Sequence, residues 1–317
     1  MQFMSTCEYN NCVISEDKHV FETASALIFA IAGGGMGTKP PLMRAQRNPN
    51  QAWVFYTLEP PMNLRQNDFK SPFWLKTMNW SMTYRFDSDV LAPYGTFRTR
   101  KVIPKRDYKT VFRRKTGMVA WVVSHCNAES ERDVYVHDLR RHGVDVDIYG
   151  ACGHMGQISE DAIEQLNKYK FFISFENALC TDYISCKVFK KFNLDLILIV
   201  RGGADYTRLM PSGTYINTDD FPTTADLATF ILKLSWNVVL YTRILSQKDR
   251  YEVLNEDEFG YPYAMCDLCR RLNSLDKYRK QYDDMRAFLE APQCRAPKDV
   301  NITNRRIYSP KHVYFET

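Results

Sequence analysis

Long hydrophobic runs are what this sequence most obviously lacks. Its best candidate for a membrane span, ALIFAIAGGGMG at residues 26–37, falls far short of the ~20 apolar residues that a spanning helix needs. The N-terminus also lacks the basic start and apolar run of a secretory leader. Taken literally, these absences predict a soluble chain, although a secretory protein without its leader would show the same pattern.

A strong charge of one sign and the common nucleotide-binding motifs are missing too. The net charge of +5 is too mild to indicate nucleic acid, although it suits a small anionic ligand. The glycine run at residues 33–37 fits neither G-x-G-x-x-G nor a P-loop, and we predict a flexible loop there. Hydrophobic content of 45% over 317 residues is typical of a soluble globular protein with room for two domains.

Cysteine, in contrast, is plentiful, with nine residues in all. Two close pairs, Cys7 with Cys12 and Cys266 with Cys269, would together supply four thiolates for zinc. The pairs stand near opposite ends of the chain, unlike the spacing of zinc ribbons, so disulfides in an oxidising compartment are the favoured interpretation. The odd count leaves at least one thiol outside any set of disulfides.

Apolar runs and helical patterns alternate over most of the chain. Two early runs, at residues 25–33 and 52–59, predict buried strands, and the basic stretch 102–117 predicts a linker. Beyond it, predicted strands such as MVAWVVSH and FFISFEN alternate with helical patterns, one of which predicts a single long helix over residues 224–245. This alternation is typical of a parallel sheet with covered faces. We predict an N-terminal domain over 1–115, a second domain over 116–275 and a helical or irregular extension over 276–317.

Polar side chains follow the predicted strands of the second domain. Ser124 and His125 follow one strand, and Glu176 and Asn177 follow another. Ligands of parallel α/β sheets bind beyond the carboxyl ends of the strands. These residues are therefore candidates for a ligand site, although Glu176 fits a helix-capping carboxylate equally well.

Two cations stand close to this predicted edge. Arg132 and Lys187 each lie about one turn into the following helix, and helix N-termini supply N–H donors that suit phosphate. For either cation alone, a solvated surface charge is the simpler interpretation. Their coincidence at one edge favours a diphosphate site.

The first domain offers a candidate general base. Glu59 ends a predicted buried strand, before two prolines that cannot continue it. Arg85, Asp87 and Asp89 follow in one short segment as its possible partners. A surface ion-pair cluster is the plainer interpretation of those three residues.

Several blocks of this sequence resemble one known family. The segment FFISFENALCTDYISCK is similar to the signature of the α1,3-fucosyltransferases, glycosyltransferase family 10. The segments VFYTLEPP and MNWSMTYRFDSDVLAPYG resemble that family's N-terminal blocks. The similarity continues through AWVVSHCNAESERDVYVHDLRRHGVDVDIYGACG, GGADYTRLMPSGTYINTDDF and CDLCRRL. Within the family, the sequence of these segments is most similar to the branch that modifies the N-glycan core in plants and invertebrates.

The resemblance implies a fold and a reaction. The fold is α/β of GT-B type, with two Rossmann-like domains and a cleft between them. The reaction is inverting transfer of fucose from GDP-fucose to the 3-OH of a GlcNAc residue on a glycan of N-glycan core or LacNAc type. Glu59 corresponds to the general base, and Arg132 and Lys187 correspond to the cations on the diphosphate. No cofactor or metal is required, and a divalent cation is at most stimulatory.

The resemblance also implies partners, a location and binding residues. The partners are GDP-fucose and a glycan or glycoprotein acceptor, with no nucleic acid. The location is the Golgi lumen, with membrane contact only through a type II anchor that this chain does not include. The implied donor-binding residues are Ser124, His125, Arg132, Phe172, Glu176, Asn177, Tyr183, Cys186 and Lys187. The acceptor-side candidates are Arg85, Asp87 and Asp89.

The signature also contains departures from the family pattern. Cys186 stands where the family has the Glu that is expected to hold the ribose hydroxyls, and a thiol is a poor acceptor. The other departures are His125 for Asn, Phe172 for Tyr, Ala178 for Ser and Leu198 for Pro. They support an alternative hypothesis, a catalytically impaired pseudo-glycosyltransferase that acts as a glycan- or protein-binding module.

Overall fold

The protein is an α/β molecule made of two compact units. The computed structural model describes residues 5–31, 37–41, 47–64 and 70–300. The glycine run at residues 33–37 therefore lies almost wholly outside the described part. The first unit holds the described residues up to Thr96, with Cys180–Cys186 and Leu254–Gln293. The second unit holds Phe97–Leu179, Lys187–Val253 and the described residues from Cys294 onward.

The first unit is built on a parallel sheet. Its described strands follow the order β1-β2-β3-β4, with neighbours in parallel register. Alternate residues of β2 face opposite sides, because side chains alternate along a strand. Trp53 and Phe55 pack with Trp74 on one face, and Val54 packs with Trp80 on the other. The strands are β1 (Ala26–Ala30), β2 (Ala52–Thr57), β3 (Trp80–Thr83) and β4 (Val90–Leu91).

The C-terminal helices cover this first sheet, and disulfides fasten the N-terminal segment to one of them. Cys7 is bonded to Cys266, and Cys12 is bonded to Cys269, which confirms the disulfide interpretation. Cys180 and Cys294 are also disulfide-bonded, and Cys186 is the cysteine that stays outside the disulfides. The helices are α7 (Tyr261–Leu272), α8 (Leu275–Tyr278) and α9 (Met285–Leu289).

The second unit contains a parallel sheet with the strand order β11-β10-β8-β6-β7. The first strand of this sheet along the chain, β6, has β7 on one side and β8 on the other. The order of connections therefore reverses between β6 and β8, and such a switch point opens a crevice at the carboxyl ends of the strands. The strands are β6 (Gly117–Val122), β7 (Val146–Tyr149), β8 (Tyr169–Phe175), β10 (Ile197–Arg201) and β11 (Tyr215–Asn217).

Helices α2 and α5 cover one face of this second sheet. Leu139 of α2 and Ile231 of α5 are fully buried in the same cluster as Phe171 and Ile199 of the strands. Helix α2 stops before Gly143, whose φ of +86° is a conformation that favours glycine. The helices are α1 (Tyr108–Arg113), α2 (Arg132–Arg141), α3 (Cys186–Phe192, which begins at the last residue of the first unit), α4 (Tyr206–Leu209), α5 (Thr224–Trp236) and α6 (Val238–Lys248).

Two sequence predictions in the second unit are wrong. The stretch 102–117, predicted as a linker, contains helix α1, which is capped by Asp107 and packs against α6 through rings 5.2 Å apart, those of Phe112 and Tyr241. The predicted long helix is two helices, because Asn237 leaves the helical conformation. The Asn237 side chain accepts the N–H of Leu240 and so caps α6.

The compact units are not contiguous along the chain. The segment Leu254–Gln293 belongs to the first unit, and the chain between Thr96 and Leu254 belongs mostly to the second. The domain boundaries at residues 115 and 275 stay a prediction. The remaining strands are β5 (Gly95–Thr99), β9 (Leu179–Cys180), β12 (Tyr251–Asn255) and β13 (Cys294–Arg295). Within the described ranges, every helix is too short or too polar to cross a membrane.

Candidate active site

The switch point of the second unit is held together by hydrogen bonds between its two loops. Ser130, which precedes α2, donates from Oγ to the carbonyl of Glu176 at 2.6 Å and from its N–H to the carbonyl of Asn177 at 3.0 Å. Arg201 also donates to the Ser130 carbonyl at 2.8 Å. The ends of β6, β8 and β10 are thereby fixed relative to one another, as a preorganised ligand site requires.

Arg132 is buried at this switch point. It is the first residue of α2, not a residue one turn into the helix as the sequence predicts. The residue is 3% exposed, and its guanidinium donates to the carbonyls of Phe175 at 3.0 Å and His125 at 2.8 Å. The interpretation as a solvated surface charge is therefore wrong for Arg132. The buried positive charge lies where the two central strands end.

Glu176 and Lys187 form an ion pair beside these strand ends. The Lys187 Nζ lies 3.0 Å from Glu176 Oε2, and the Glu176 side chain is fully buried while that of Lys187 is 31% exposed. A buried carboxylate needs a charged or hydrogen-bonding partner. Lys187 is the second residue of α3, so it too stands nearer the helix start than predicted.

Buried polar atoms without hydrogen-bond partners also lie in the segments that follow β8, β10 and β11. In the part of the chain that the structure describes, Asn177 Oδ1, Tyr206 Oη and Thr218 Oγ1 are buried and make no hydrogen bond. Such atoms are rare in folded proteins, and they indicate a role in ligand binding or in a second arrangement of the site. The sequence analysis singled out Asn177 and missed the other two.

A disulfide fixes the loop that carries the exposed Ser124 and His125. Cys126 in this loop is bonded to Cys152 in the loop after β7. The two loops approach closely at Gly150, which has a φ of +91°, and a Cβ there would lie 2.4 Å from the Val123 carbonyl oxygen. A larger residue at this position would separate the two loops.

Three other predicted donor residues have different surroundings. Phe172 is buried at the middle of β8, paired with Ala120 and Leu198, and so lies in the sheet interior away from the strand end. Tyr183 belongs to the first unit, where its ring packs on that of Tyr84 at 4.9 Å. Cys186 is half-buried at the start of α3.

Arg201 supports the switch point from the interior. It is 1% exposed and forms two hydrogen bonds of 2.7 Å with the carboxylate of Asp299, and its backbone carbonyl accepts the N–H of Glu176. Burial acts to raise the pKa of Asp299, but the Arg201 guanidinium holds it below its usual value. The sequence analysis had no signal for the pair of Arg201 and Asp299, because the two residues are 98 positions apart.

In the first unit, Glu59 lies just beyond the carboxyl end of β2. Its N–H donates to Thr57 Oγ1 at 3.0 Å, and its Oε2 accepts a hydrogen bond of 2.5 Å from Asn63 Nδ2. Asn63 belongs to the short helical turn Pro61–Leu64 that follows the two prolines. The carboxylate is therefore oriented, half-buried and placed at the edge where parallel sheets bind ligands.

Tyr84 is a further residue at this edge that the sequence analysis missed. It follows β3 directly, is 4% exposed, and its hydroxyl has no hydrogen-bond partner among the described residues. Burial raises the pKa of Tyr84; Arg85 opposes this shift, and the carboxylates of Asp182 and Glu59 add to it. Tyr84 is thus a protonated donor near Glu59. Its position in the quoted block MNWSMTYRFDSD was the available signal.

Arg85 and Asp87 form an ion pair with each other. The Arg85 Nη2 lies 2.5 Å from Asp87 Oδ2, and Nη1 donates to the carbonyl of Phe288 in α9 at 2.7 Å. The guanidinium also stacks over the Phe288 ring at 4.1 Å. These contacts agree with the ion-pair interpretation, and the acceptor-side role stays a prediction.

Asp89 connects the first sheet to the segment before α9. Its carboxylate accepts hydrogen bonds from the Ser81 N–H at 2.9 Å, from Tyr282 Oη at 2.7 Å and from Lys280 Nζ at 2.8 Å. Burial acts to raise the pKa of Asp89, but the bonds from Lys280, Ser81 and Tyr282 outweigh it and hold the pKa below the usual value. Its acceptor-side role also stays a prediction.

Replacing Asp89 with Asn should therefore lower the free energy of unfolding by about 1–3 kcal/mol at pH 7, because a charge-assisted acceptor is lost. A carboxyl with a lowered folded-state pKa stabilises fully above its unfolded pKa, near 3.9, and loses this contribution as the pH falls through the folded value. Urea unfolding at pH 7 and at successively lower pH measures this. The difference between the two proteins should shrink below about pH 4, and a constant difference would contradict the assignment.

The family follows from comparison with known sequences. A family model described as "Fucosyltransferase, N-terminal" matches residues 1–95, and one described as "Glycosyltransferase family 10 (fucosyltransferase) C-term" matches residues 112–288. The second match alone spans more than half of the chain. The chain belongs to glycosyltransferase family 10. The family identified from the quoted motifs is thus confirmed.

Relatives in this fucosyltransferase family cover most of the chain. "Alpha-(1,3)-fucosyltransferase fut-6" of Caenorhabditis elegans is 30% identical over 90% of this chain and 74% of its own length. "Alpha-(1,3)-fucosyltransferase C" of Drosophila melanogaster is 33% identical over 74% of this chain and 58% of its own. For "Alpha-(1,3)-fucosyltransferase 4" of Rattus norvegicus the identity is 33%, and the chain spans 53% of that protein.

Solved structures of the family share the fold. An α1,3-fucosyltransferase crystal structure superposes with a TM-score of 0.55 at 16% identity, covering 92% of this chain and 84% of the other. Another, solved with GDP-fucose, gives a TM-score of 0.50 at 18% identity and covers 71% of this chain and 76% of that one. The predicted fold class, α/β of GT-B type, is confirmed by this similarity and by the two parallel sheets.

Proposed function

We propose that the chain transfers fucose from GDP-fucose to the 3-OH of a GlcNAc residue on a glycan, with inversion at the anomeric carbon. The observation that carries the proposal is the switch point of the second unit. There the buried Arg132 and the Glu176–Lys187 pair lie at the ends of the two central strands. The relatives, all named as fucosyltransferases, support the same assignment.

The second unit would hold the donor. The diphosphate carries negative charge, which Lys187 and the N-terminus of α2 with Arg132 would stabilise. As the glycosidic bond breaks, its electron pair goes to the leaving phosphate oxygen, so these cations stabilise the charge that develops on GDP. No metal is needed for this step in the proposal, and a divalent cation would at most stimulate it.

The first unit would supply the base. Glu59 takes the proton of the acceptor hydroxyl as its oxygen attacks the anomeric carbon on the face opposite GDP. The hydrogen bond from Asn63 holds the carboxylate in place. Attack from the opposite face inverts the configuration at that carbon.

Location in the Golgi lumen is part of the same proposal. Eight of the nine cysteines are disulfide-bonded, which suits an oxidising compartment. The proposed acceptor is a glycan or glycoprotein, and the choice between N-glycan core and LacNAc is left to experiment.

The direct test is an assay with purified, disulfide-intact protein. GDP-fucose is supplied with a panel of N-glycan core and LacNAc acceptors, and the products are analysed for position and anomeric configuration. Transfer that persists in EDTA supports the proposal in full. Absence of turnover, with no GDP binding by calorimetry, would overturn it in favour of the pseudo-glycosyltransferase hypothesis.

The Cys186→Glu substitution should tighten GDP-fucose binding by about tenfold or more, because a carboxylate accepts charged hydrogen bonds from ribose hydroxyls better than a thiol does. The position at the start of α3 also favours an acidic side chain. Calorimetry with GDP-fucose measures the change, and Cys186→Ser is the control, expected to bind like the unsubstituted protein. Unchanged affinity of Cys186→Glu would mean that another group holds the ribose.

A further inference from the structure

The basic stretch at residues 98–115 has no part in the proposed reaction. It contains nine Lys or Arg residues and one Asp, so it carries a net charge of +8. The whole chain carries +5, and the rest of it therefore carries −3. The excess positive charge of the protein is thus concentrated in one short stretch, and such a concentration indicates an anionic partner.

Internal bonds hold four of the nine cations and fix the stretch against the second sheet. Arg106 pairs with Asp195, and Lys115 donates to the carbonyls of Asn167 and Asp195. Asn167 and Asp195 stand just before the first residues of β8 and β10. The stretch therefore lies at the amino ends of these strands, the edge of the sheet opposite to the switch point. The cations held in this way are Arg98, Arg100, Arg106 and Lys115.

The other five cations are exposed, and among the described residues none of them forms an ion pair. Lys109 and Arg113 stand one turn apart on α1 and so share a face, while Phe112 of the same helix packs against α6. Asp107, the only acid of the stretch, accepts the N–H groups of Lys109 and Thr110 as the cap of α1. The five exposed cations are Lys101, Lys105, Lys109, Arg113 and Arg114.

Two neighbouring apolar side chains are exposed among these cations. Val102 is 81% exposed and Ile103 is 47% exposed. They stand between Lys101 and Lys105 in a segment without helix or strand. Single exposed apolar residues are common on protein surfaces. An adjacent pair flanked by unpaired lysines is the pattern of a loop that enters a lipid interface.

An exposed tryptophan lies beside α1 at the same edge. Trp236, the last residue of α5, is 80% exposed, and Val239 in the first turn of α6 is 77% exposed. The Lys170 Nζ lies 5.1 Å from the centre of the Trp236 ring and 4.9 Å from that of Phe112 in α1. Tryptophan is enriched where proteins meet the headgroup region of a bilayer.

We propose that this edge of the second unit, formed by residues 98–115 and Trp236, is a docking surface for an anionic lipid bilayer. The cations attract anionic headgroups, and the exposed apolar side chains gain free energy when they enter the interface. A soluble polyanion would satisfy the cations alone and leave Val102 and Trp236 in water, so a bilayer fits both features. Docking at the amino ends of the strands leaves the switch point at their carboxyl ends uncovered. This role does not depend on the proposed function.

The test is binding of the full, disulfide-intact chain to phosphatidylcholine vesicles with and without phosphatidylserine, measured by co-sedimentation. The unsubstituted protein should bind the vesicles that contain phosphatidylserine and release them at high salt. The triple substitution Lys105→Gln, Lys109→Gln and Arg113→Gln should weaken this binding about 100-fold, because each cation near an anionic surface contributes about fivefold.

A second triple substitution is the matched control for charge. Lys18→Gln, Lys39→Gln and Lys277→Gln remove the same number of charges from exposed lysines of the first unit. At physiological salt the Debye length is about 8 Å, so vesicle affinity should stay within about twofold. An equal loss in both triple variants would mean that net charge alone causes binding, and the docking surface would be overturned.

The double substitution Val102→Ser and Trp236→Ser tests the apolar contribution. It should weaken vesicle binding about tenfold or more, because apolar surface no longer enters the interface. Val13→Ser is its control, since Val13 is 92% exposed in the first unit, and its change should have no effect on vesicle binding. All the substituted side chains are exposed, so the thermal unfolding temperatures should stay close to that of the unsubstituted protein.

The outcomes are separate from those of the proposed function. If the unsubstituted protein does not bind vesicles with phosphatidylserine, the docking surface is overturned. If the charge variant loses binding and the double variant Val102→Ser, Trp236→Ser keeps it, the surface suits a soluble polyanion and the lipid proposal is again overturned. Fucose transfer to a soluble acceptor should be unchanged in every variant, because none of the substituted residues belongs to the proposed donor site or base.

Discussion

Replacing Glu59 with Gln should lower the turnover number by about 100- to 10,000-fold, the usual contribution of a positioned general base. Gln keeps the shape of the side chain and can still bond Asn63, so the first unit should retain its structure. GDP-fucose binding should be unchanged, because the proposed diphosphate ligands Arg132 and Lys187 belong to the second unit. The measurement is kcat at saturating donor and acceptor, together with calorimetry of GDP-fucose.

Glu290→Gln is the control for this result. Glu290 is an exposed carboxylate of the same unit that pairs with Lys70 at 3.1 Å. Its substitution should leave both turnover and binding within about twofold, because exposed ion pairs contribute little. Glu59 would lose its role as base if Glu59→Gln kept more than about a tenth of the normal turnover.

The second large effect is expected at Lys187. Changing it to Met removes the cation that pairs with a fully buried carboxylate, which should cost about 3 kcal/mol of unfolding free energy. The same change removes a proposed diphosphate ligand, so GDP affinity should fall by two orders of magnitude or more, as for a charged contact. Urea unfolding and GDP calorimetry measure the two losses separately.

A double substitution tells these two losses apart. Adding Glu176→Gln to Lys187→Met removes the buried charge, so much of the lost stability should return. GDP affinity should stay low, because no cation is restored. If affinity returned along with stability, Lys187 would act only through folding, and its place on the diphosphate would be wrong.

Much of the second unit could be predicted from the sequence because its strands are nearly continuous apolar runs. Such runs are typical of a parallel sheet buried on both faces, and β6 and β8 lie where the runs MVAWVVSH and FFISFEN predict them. The residues that follow these strands, such as Ser124 and Glu176, could likewise be identified from the sequence. Strand order, however, depends on contacts between distant segments, and periodicity carries no information about it.

The errors in the prediction have local causes. Helix α1 was missed because its six residues show no full apolar period, and Asp107, its N-cap, is one residue in a basic stretch. The break at Asn237 was missed because apolar residues continue across it, from Trp236 to Val238. There the hydrogen bond from the Leu240 N–H to the Asn237 side chain starts a new helix, although the apolar pattern continues.

The sequence identified several residues of the candidate site, but it did not predict the hydrogen bonds that these residues make. The sequence indicated that Arg132 and Lys187 would stand near one edge, but their hydrogen bonds depend on the packed loops. Arg132 bonds two carbonyls, which no motif specifies. Such contacts join residues far apart in sequence, and folding alone brings them together.

The disulfides between the N-terminal segment and α7 have a topological consequence. They join residues 259 and 257 positions apart, so nearly the whole chain, including Phe97–Val253, lies within one covalent ring. A protease cut at any single bond between residues 13 and 265 opens the ring but releases no fragment. Such a nicked molecule keeps its full mass under non-reducing conditions and divides into two pieces only after a reductant has opened the bridges.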